Sequence, residues 1–296
     1  MQLTDFLTAN TPIAITISGI LGLLVGSFLN VVIYRLPIMM EREWKSQCKN
    51  VSDAEQSTAA HPAAKPEQST FNLATPHSHC PKCDTPIKAW QNIPVISYLL
   101  LKGQCKSCQC AIPKRYPIIE FITGLLSCLV IWHFGFSWQG GAMLLLTWAL
   151  ITLTVIDFDQ QLLPDSITLP ALWLGLIANR FEVFCSLPEA LWGAIVGYLS
   201  LWSIYWSFKL VTGKEGMGYG DFKLLAMLGA WFGWQALPLI LLLSSLLGAI
   251  VGITLTIKNK GQSVPFPFGP YLAVAGFIAA VCGEQLTQAY LNYSGL

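Results

Sequence analysis

Long runs of residues without a charged side chain constrain this chain more than any other feature. The first run, Ile13–Tyr34, exceeds the about 20 residues that an α-helix needs to cross a bilayer. The chain is 54% hydrophobic and 11% charged, whereas soluble domains carry about 25% charged residues. This composition excludes an ordinary soluble domain, and it predicts an all-α integral membrane protein.

Further apolar runs predict about eight transmembrane helices. One run, Phe121–Ile156, is too long for a single span, and Gly135 or Gly140-Gly141 offers a turn for a helical hairpin. A second long run, Leu224–Ile257, predicts a break near Gly233-Trp234 or Pro238. The expected helices are Ile13–Tyr34, two within Phe121–Ile156, Ser166–Asn179, Ala190–Phe208, two within Leu224–Ile257, and a last one that ends near Tyr290.

The basic residues predict the orientation of these helices. Most of the 17 Lys and Arg residues lie between Arg35 and Arg115, and the others, except Arg180, lie between Lys209 and Lys223 and at Lys258 and Lys260. Eight alternating spans place all three basic segments on one side. The positive-inside rule makes that side the cytoplasm, so both termini are expected on the opposite side.

The expected organisation has three parts: a first transmembrane helix (1–36), a cytoplasmic loop with a metal-binding module (37–116) and a membrane domain of about seven helices (117–296). Between residues 39 and 76 the chain changes in character. Val51–Pro66 is rich in Ala, Ser, Gln and Pro. Such a segment cannot bury enough apolar surface to order itself, so it is interpreted as a flexible loop.

The loop carries the strongest metal signal in the sequence. Four of the nine cysteines form two CxxC pairs, Cys80 with Cys83 and Cys105 with Cys108. A two-residue gap lets both sulfurs of a pair face one ion, and two pairs complete a tetrahedron around Zn²⁺. The expected site is structural, because four thiolates leave no open position for catalysis. Zinc would supply most of the folding energy of so short a module.

Other ligand sets remain open at this stage. His77 and His79 could compete with the thiolates, and Cys110 could replace Cys108. Four unrelated free thiols are the remaining alternative, but paired CxxC spacing in a Lys-rich segment favours a metal site over both free thiols and disulfides.

Acidic residues at the mouths of apolar helices mark the candidate chemistry. Asp157 ends one apolar run, and Asp221 lies at the end of Gly218-Tyr219-Gly220-Asp221, where a polar loop meets another. An acid at a membrane helix is costly and is a functional-site hypothesis by default. We hypothesise that Asp157 and Asp221 meet and share one proton, because two like charges a few Å apart cannot both ionise without a large cost.

Such a pair can perform aspartic-protease chemistry. One carboxylate takes a proton from water while the protonated partner polarises a peptide carbonyl. The alternative interpretation is that these acids only mark helix ends, as Asp165 before Ser166 does in the manner of an N-cap. Asp159 is a rival to Asp157 that composition does not separate.

Four further residues are expected to support the site. Gly218 and Gly220 would let the backbone pass close to a substrate or to the other acid. Lys223 could orient an acid or extend to the membrane surface. Glu120, which follows Arg115-Tyr116-Pro117, could pair with Arg115, stabilise a helix N-terminus or line the site, and the structural roles are favoured.

Taken together, these motifs resemble the type IV prepilin peptidases, which are bifunctional bacterial leader peptidases and N-methyltransferases. The similarity extends from about Gly19 to the last span. It is carried by Gly26-Ser27-Phe28-Leu29-Asn30-Val31-Val32-Ile33-Tyr34-Arg35-Leu36-Pro37, the two CxxC pairs, Arg115-Tyr116-Pro117 with Glu120, Ile156-Asp157 through Leu163-Pro164-Asp165, Gly218 to Lys223, and Phe266-Pro267-Phe268-Gly269-Pro270. The stretch between Pro37 and Cys80 looks longer than in the family.

The resemblance implies an activity and a location. The family's catalytic acids map onto Asp157 and Asp221, which favours Asp157 over Asp159. The implied substrates are prepilins and pseudopilins, whose short basic leader is removed after a glycine at the cytoplasmic face of the bacterial inner membrane. The new N-terminal residue is then methylated from S-adenosylmethionine. No Gly-rich nucleotide-binding motif is evident, so the residues that bind this donor stay unassigned.

Two rival functions are weighed against this one. A proton- or metal-coupled transporter would use the acids as a relay, but it should show repeated halves and acids near mid-membrane. A zinc-bearing scaffold without catalysis would leave Gly218-Tyr219-Gly220-Asp221 unexplained. The expected partners are therefore prepilin-like proteins and membrane lipid, with no role for nucleic acid.

Overall fold

α-Helices account for most of the residues that the computed structural model describes, which are 7–8, 10–56, 71–214, 216–258 and 267–294. The described part contains no β-sheet, only two isolated bridges. In chain order the helices are α1 (Thr11–Gln56), α2 (Ile96–Leu100), α3 (Arg115–Phe134), α4 (Trp138–Gln160), α5 (Asp165–Arg180), α6 (Leu187–Thr212), α7 (Tyr219–Phe232), α8 (Leu237–Lys258) and α9 (Gly269–Ser294).

Six of these helices, α1, α3, α4, α6, α8 and α9, are long and apolar enough to cross a membrane. The chain is therefore a multi-pass membrane protein, as predicted. The eight helices expected from the sequence are all present in the expected order. However, α5 has 16 residues and α7 has 14, so the prediction that all eight cross the bilayer is not confirmed.

Both predicted breaks in the long apolar runs occur at glycines with positive φ. Gly135, at φ 67°, separates α3 from α4, whereas Gly140 and Gly141 lie inside α4. Gly233, at φ 78°, ends α7, and a short 3₁₀ turn leads into α8. Only glycine adopts such backbone angles without strain, which explains why the helices end there.

The first helix is longer than predicted. It was expected to end at Arg35, with a flexible loop after Met39, but α1 continues through Pro37 to Gln56. The segment after Pro37 contains several strong helix formers, and Lys45 pairs with Glu41 one turn earlier at 2.5 Å. A charged residue such as Arg35 can end the apolar part of a helix without ending the helix itself. The rest of the predicted loop, 57–70, lies outside the described residues.

The chain divides into two compact units, one formed by Met1–Gly19 with Leu126–Leu296 and the other by Ile20–Leu125. The second unit contains the cysteine module. Within it, Arg35 is buried and donates hydrogen bonds to the backbone carbonyls of Asn72 at 2.9 Å and Pro76 at 2.6 Å. This guanidinium therefore anchors the segment that leads into the first cysteine pair.

The core of the first unit is built around α7. This short helix packs against α5, α6 and α9, and most of its side chains are buried, including Phe222 and Trp231. A helix that is apolar on all sides belongs in the interior of a bundle. Its central place explains how a helix too short for a span can be well fixed in the membrane domain.

Side chains of α5 hold the C-terminal end of α7. Asn179 donates to the carbonyls of Ala230 and Trp231, both at 2.9 Å. The indole N–H of Trp231 donates in turn to the carbonyl of Ala171 at 2.8 Å. All three contacts are buried, so they fix the register of α7 against α5.

Two glycines let α6 and α7 approach until their backbones touch. A Cβ atom at Gly193 would collide with the carbonyl oxygen of Gly229, and a Cβ at Gly229 would collide with that of Gly193. Small residues at helix contacts are the usual means of close packing in membranes. The contact therefore positions α7 without any polar side chain.

We expect Gly229→Val to force these helices apart and to lower the free energy of unfolding by about 1–3 kcal/mol, as overpacking does. Thermal unfolding of the detergent-solubilised chain measures this effect. Gly141→Ala is the control, because a Cβ at this helical position meets nothing within 4 Å, and we expect a change within about 0.5 kcal/mol. Equal unfolding temperatures for Gly229→Val and the wild type would contradict the close contact.

Candidate active site and metal centre

The two acids singled out in the sequence are both buried at helix ends. Asp157 lies in the last turn of α4 and is 4% exposed; Asp221 lies in the first turn of α7 and is 6% exposed. Few carboxyl groups are buried this deeply unless they have a specific role. Asp159, the rival to Asp157, is exposed, so burial separates the two residues that composition left open.

Leu163 brings the surroundings of the two acids together. A Cβ at Gly220 would lie 2.8 Å from the Cβ of Leu163, and a Cβ at Gly269 would lie 3.2 Å from its Cδ1. The same Gly269 atom would lie 2.5 Å from Oδ2 of Asp157. One side chain is therefore in contact with the backbone beside each acid, and both glycines are needed for that contact.

The two carboxyl groups are close enough to interact electrostatically. Asp221 lies at the N-terminal end of α7, and Asp157 lies against Gly269, the first residue of α9. Helix N-termini carry partial positive charge, which offsets part of the cost of burying carboxylates. The convergence of two helix N-termini thus makes an acid pair tolerable inside an apolar bundle.

Asp157 retains an unused hydrogen-bonding atom. Its Oδ2 is buried and has no hydrogen-bond partner among the described residues. Buried polar atoms are nearly always paired, so an unpaired one calls for an explanation. The backbone of Gly269 interacts with this carboxyl group but makes no hydrogen bond of good geometry to Oδ2.

The supporting glycines predicted from the sequence have different roles. Gly218 precedes α7 and accepts a hydrogen bond from the backbone N–H of Asp221 at 3.3 Å. A Cβ at Gly218 would meet only Oδ2 of Asp221, at 3.9 Å, so this position is open. Gly220 is the position that requires glycine, because of its contact with Leu163.

Lys223 does not pair with either candidate catalytic acid. Its Nζ donates to both carboxylate oxygens of Asp165, each at 2.7 Å. Asp165 is the first residue of α5, and Pro164 occupies the cap, so the predicted capping role of Asp165 is wrong. The ion pair instead links the N-terminal ends of α5 and α7, two residues beyond Asp221.

Glu120 has a structural environment in the second unit. It is buried and accepts a hydrogen bond from the backbone N–H of Val95 at 2.8 Å. It also interacts with the Ser27 side chain, and its Cα packs against Gly26. Because Val95 has φ 57°, this carboxylate fixes a turn that the backbone alone would disfavour.

The four predicted metal ligands converge in the second unit. Sγ atoms of Cys80, Cys83, Cys105 and Cys108 all lie within 4.8 Å of one another. Cys80 and Cys108 are 3.7 Å apart, and Cys83 and Cys105 are 4.0 Å apart. A tetrahedral zinc with bonds of about 2.3 Å places its sulfurs about 3.8 Å from each other. The cluster therefore fits one such ion.

The two cysteine pairs adopt the same hydrogen-bonded turn. The N–H of Cys80 donates to the carbonyl of Thr85 at 3.0 Å, and the N–H of Cys105 donates to that of Cys110 at 2.8 Å. A β-bridge between residues 79 and 86 has its counterpart between residues 104 and 111. The module is thus an internal repeat that was not apparent from the sequence.

The repeat extends to the backbone angles and to the sulfur environment. Asp84 and Gln109, the residues after each pair, have φ of 50° and 56°. Backbone N–H groups of Lys82 and Cys83 point at the Cys80 sulfur and lower the pKa of that thiol, and residues 108 and 107 do the same for Cys105. A lowered pKa favours the thiolate, which is the metal-binding form.

The alternative ligands occupy other places. Cys110 corresponds to Thr85 in the repeat, and its sulfur lies 3.5 Å from that of Cys80. Thr85 packs its hydroxyl 3.3 Å from the sulfur of Cys83 in its own pair, so in both repeats this position lies beside ligands. His79 is near Asp84, at 3.9 Å, and neither His79 nor His77 belongs to the cluster. Cys108 is therefore favoured over Cys110.

Two features define the class of this protein: a multi-pass helical membrane domain that buries a pair of interacting carboxyl groups at helix ends, and a separate four-cysteine cluster. Family models match most of the chain in two parts. Residues 20–134 match the bacterial peptidase A24 N-terminal domain, and residues 144–253 match the type IV leader peptidase family. The chain belongs to this family.

Relatives of known name match over nearly the full length. The chain is 58% identical to a protein of Stutzerimonas stutzeri, with all of both chains covered, and 59% identical to one of Pseudomonas aeruginosa, with 100% of this chain and 99% of the relative covered. A Neisseria gonorrhoeae protein is 50% identical, with 96% of each covered. All three are named prepilin leader peptidase/N-methyltransferase. No solved structure matches the chain significantly.

Two residues beside the acids were missed as parts of the site. Leu163 was noted only within its motif, and Gly269 only within Phe266-Pro267-Phe268-Gly269-Pro270. Glycine before proline at the start of an apolar run was the available signal. This signal did not reveal that Gly269 lies against Asp157, which belongs to a helix more than a hundred residues earlier in the chain.

We expect the Lys223–Asp165 ion pair to position α7 for activity rather than to hold the fold. Lys223→Ala should slow peptide cleavage about fivefold, while the unfolding free energy changes by no more than about 1 kcal/mol because the pair is partly exposed. The charge swap Lys223→Asp with Asp165→Lys should recover most of the rate. Lys214→Ala, in an exposed loop, is the control. A charge swap no better than either single change would contradict this role.

We expect Cys80→Ser with Cys83→Ser to remove the metal from the purified chain, since two of four ligands are lost. Elemental analysis should fall from about one zinc per chain to near zero. Cys110→Ser should keep its zinc, because this sulfur lies beside the ligand set. Cys48→Ser, an exposed cysteine of α1, controls for handling. Loss of zinc in Cys110→Ser as complete as in the double variant would contradict the assignment of Cys108.

Proposed function

We propose that the chain is an intramembrane aspartic endopeptidase that removes the basic leader of prepilins and pseudopilins after a glycine, and then N-methylates the new N-terminal residue. Family membership makes the chain a peptidase, and the name of its relatives supplies the substrate. The observation that carries the proposal is the pair of buried acids, Asp157 and Asp221, whose surroundings meet at Leu163.

Proteolysis by this pair needs one shared proton. The ionised carboxylate takes a proton from a water molecule, whose oxygen bonds to the carbonyl carbon of the scissile peptide. The protonated carboxyl group donates to the carbonyl oxygen, which becomes a hydroxyl. The C–N bond then breaks as the amine receives the proton that the first carboxylate accepted. One hydroxyl of the tetrahedral carbon returns its proton to the second carboxylate as it becomes the new carbonyl, so the pair again holds one proton.

The neighbouring residues position this chemistry. Gly220 and Gly269 lack side chains, so the backbone of each helix start can lie against Leu163 beside the acids. The Lys223–Asp165 pair fixes the start of α7, while Asn179 and Trp231 fix its end. The helix that carries Asp221 is consequently held at both of its ends, which favours a preorganised site.

The four-cysteine cluster is proposed to hold a structural Zn²⁺ through Cys80, Cys83, Cys105 and Cys108. The sulfur separations and the repeated turns support this proposal. Bound zinc would supply folding energy to a module with few buried apolar residues. Four protein ligands leave no position for substrate, so no catalytic step is assigned to the metal.

The methyl donor is proposed to be S-adenosylmethionine, which supplies the methyl group to the new terminal amine. The name of the relatives supports the reaction. The described residues contain no sheet and no Gly-rich strand–turn–helix that would hold a nucleotide.

The proposed location is the bacterial inner membrane, with the acids at its cytoplasmic face. The support is the distribution of Lys and Arg, which are concentrated between Arg35 and Arg115, between Lys209 and Lys223, and at Lys258 and Lys260. The transporter alternative has no support, because the chain belongs to a peptidase family. Membrane lipid remains an expected partner.

One reaction tests the whole proposal. Purified chain, a prepilin and S-adenosylmethionine are combined, and the product is weighed by mass spectrometry. Loss of the leader and gain of one methyl group are both expected. An uncut prepilin would refute the peptidase, whereas a cut but unmethylated product would refute only the second activity.

Asparagine variants test the roles of the acids. We expect Asp157→Asn and Asp221→Asn each to lower the cleavage rate by at least about a thousandfold while the unfolding temperature changes little, because the amide keeps the shape but cannot accept or supply the proton. Asp159→Asn is the matched control from the same helix end, and it should keep most of the activity. Full processing by either of the first two variants would refute the pair.

A further inference from the structure

An apolar groove of about 740 Å³ lies between α6 and α8 in the first unit. Its lining is apolar except for Ser245 and Thr256, and it includes Ile204 of α6 and Ile253 of α8, both exposed. In an aqueous domain such a surface would mark a binding site. In a membrane protein its occupant must be identified from where the groove leads.

The groove leads to the candidate catalytic acids. Its lining includes Met217 and Phe268. Met217 directly precedes Gly218 at the start of the Asp221 helix, and Phe268 directly precedes Gly269, which lies against Asp157. The groove therefore reaches the residues that directly precede the glycines beside the two acids.

The length of the groove matches a membrane-spanning segment. From Leu241 to Ile257 it follows α8 for roughly 24 Å, at about 1.5 Å per residue. The hydrocarbon core of a bilayer is about 30 Å thick. Gly248, Ala249 and Gly252 lie on this wall, and small residues allow another helix backbone to approach closely.

The chemistry of the proposed reaction selects the occupant. A membrane-anchored protein substrate that presents a peptide bond to acids buried in a membrane domain has an adjoining segment within the bilayer. Such a segment has to be an α-helix, since backbone groups in lipid must be paired internally. The leader is basic by the family resemblance and is excluded from an apolar groove. The segment that follows the cut is the part that remains.

We infer that the groove between α6 and α8 binds an apolar transmembrane helix of the prepilin, the one that follows the cleavage site, and so presents the scissile bond to Asp157 and Asp221. This inference rests on the proposed peptidase function and adds the site that recognises the membrane part of the substrate. Binding along α8 fixes the depth of that helix, and its depth sets which peptide bond reaches the acids.

Photo-crosslinking tests the occupant directly. The full chain carries Asp221→Asn, to stop cleavage, and p-benzoylphenylalanine in place of either Ile253, in the groove, or Ile250, exposed on the same helix but outside the groove. After illumination with prepilin in membranes, residue 253 should capture the apolar segment of the prepilin and residue 250 should capture lipid. Capture of only lipid or a second copy of the chain at residue 253, or equal capture of prepilin at both, would overturn the inference.

Kinetics distinguish a failure of the groove from a failure of the peptidase. Ala249→Trp fills the groove, and Ile250→Trp places the same indole side chain at the neighbouring exposed position. For full-length prepilin, Ala249→Trp should raise KM about tenfold with little change in kcat, as expected when uniform binding is lost. A short peptide that spans only the leader and the cut does not occupy the groove, so its KM should not show the rise seen for full-length prepilin in Ala249→Trp.

Each kinetic outcome has one meaning. An unchanged KM for prepilin in Ala249→Trp overturns the groove and leaves the peptidase intact. Slower cleavage of both substrates by Ala249→Trp shows a disturbed active site and also overturns it. A wild-type chain that cuts neither substrate refutes the peptidase itself.

Discussion

Burial of two carboxyl groups in an apolar helical bundle is the constraint on which the rest of this structure depends. An isolated carboxylate in such a place costs several kcal/mol or more. Here each acid lies at the N-terminal end of a helix, Asp221 at that of α7 and Asp157 against that of α9. The acids can share one charge between them. The bundle must therefore hold α4, α7 and α9 in a fixed arrangement for both acids to remain buried together.

The helix contacts supply that arrangement. α7 is too short to span a bilayer alone, but it is enclosed by α5, α6 and α9. Its backbone touches α6 at Gly193 and Gly229, and its ends are fixed by Lys223 and Asn179. Many weak apolar contacts thus surround a few directional ones, and the directional ones decide where Asp221 points.

The sequence predicted the helices well because apolar runs and glycine breaks are local signals. Gly135 and Gly233 end helices where the pattern said they would. The predicted end of α1 was wrong because helix propensity, rather than hydropathy, decides how far the helix continues beyond Arg35. The acids and cysteines were also predictable, since their cost or their spacing is visible in the sequence itself.

Contacts between distant segments were not predictable in the same way. Neither Leu163 nor Gly269 has a local pattern that places it at the site, because only the packing of α4, α7 and α9 brings Leu163 against Gly220 and Gly269 against Asp157. Lys223 was expected near an acid, but a single sequence does not say that the acid is Asp165. The two cysteine pairs share a turn with the same hydrogen bonds and backbone angles. The sequence does not reveal this repeat, because the residues at corresponding positions differ.

The four-cysteine cluster and the acid pair lie in different compact units of the chain. The four-cysteine cluster lies in its own compact unit, and its sulfurs converge as a zinc site requires. The acid pair belongs to the unit that also contains the apolar groove. The proposed peptidase thus draws both its chemistry and its recognition of membrane substrates from one set of helices.

The most direct test is an experimental structure of the full chain with a prepilin peptide whose scissile amide is replaced by a hydroxyl-bearing tetrahedral mimic. If the two acids act as a pair, this hydroxyl contacts the carboxyl groups of both Asp157 and Asp221 at about 2.6–3.2 Å, the range for direct proton transfer. A mimic bound to only one of these acids, or bound elsewhere in the chain, would contradict the joint action of the pair.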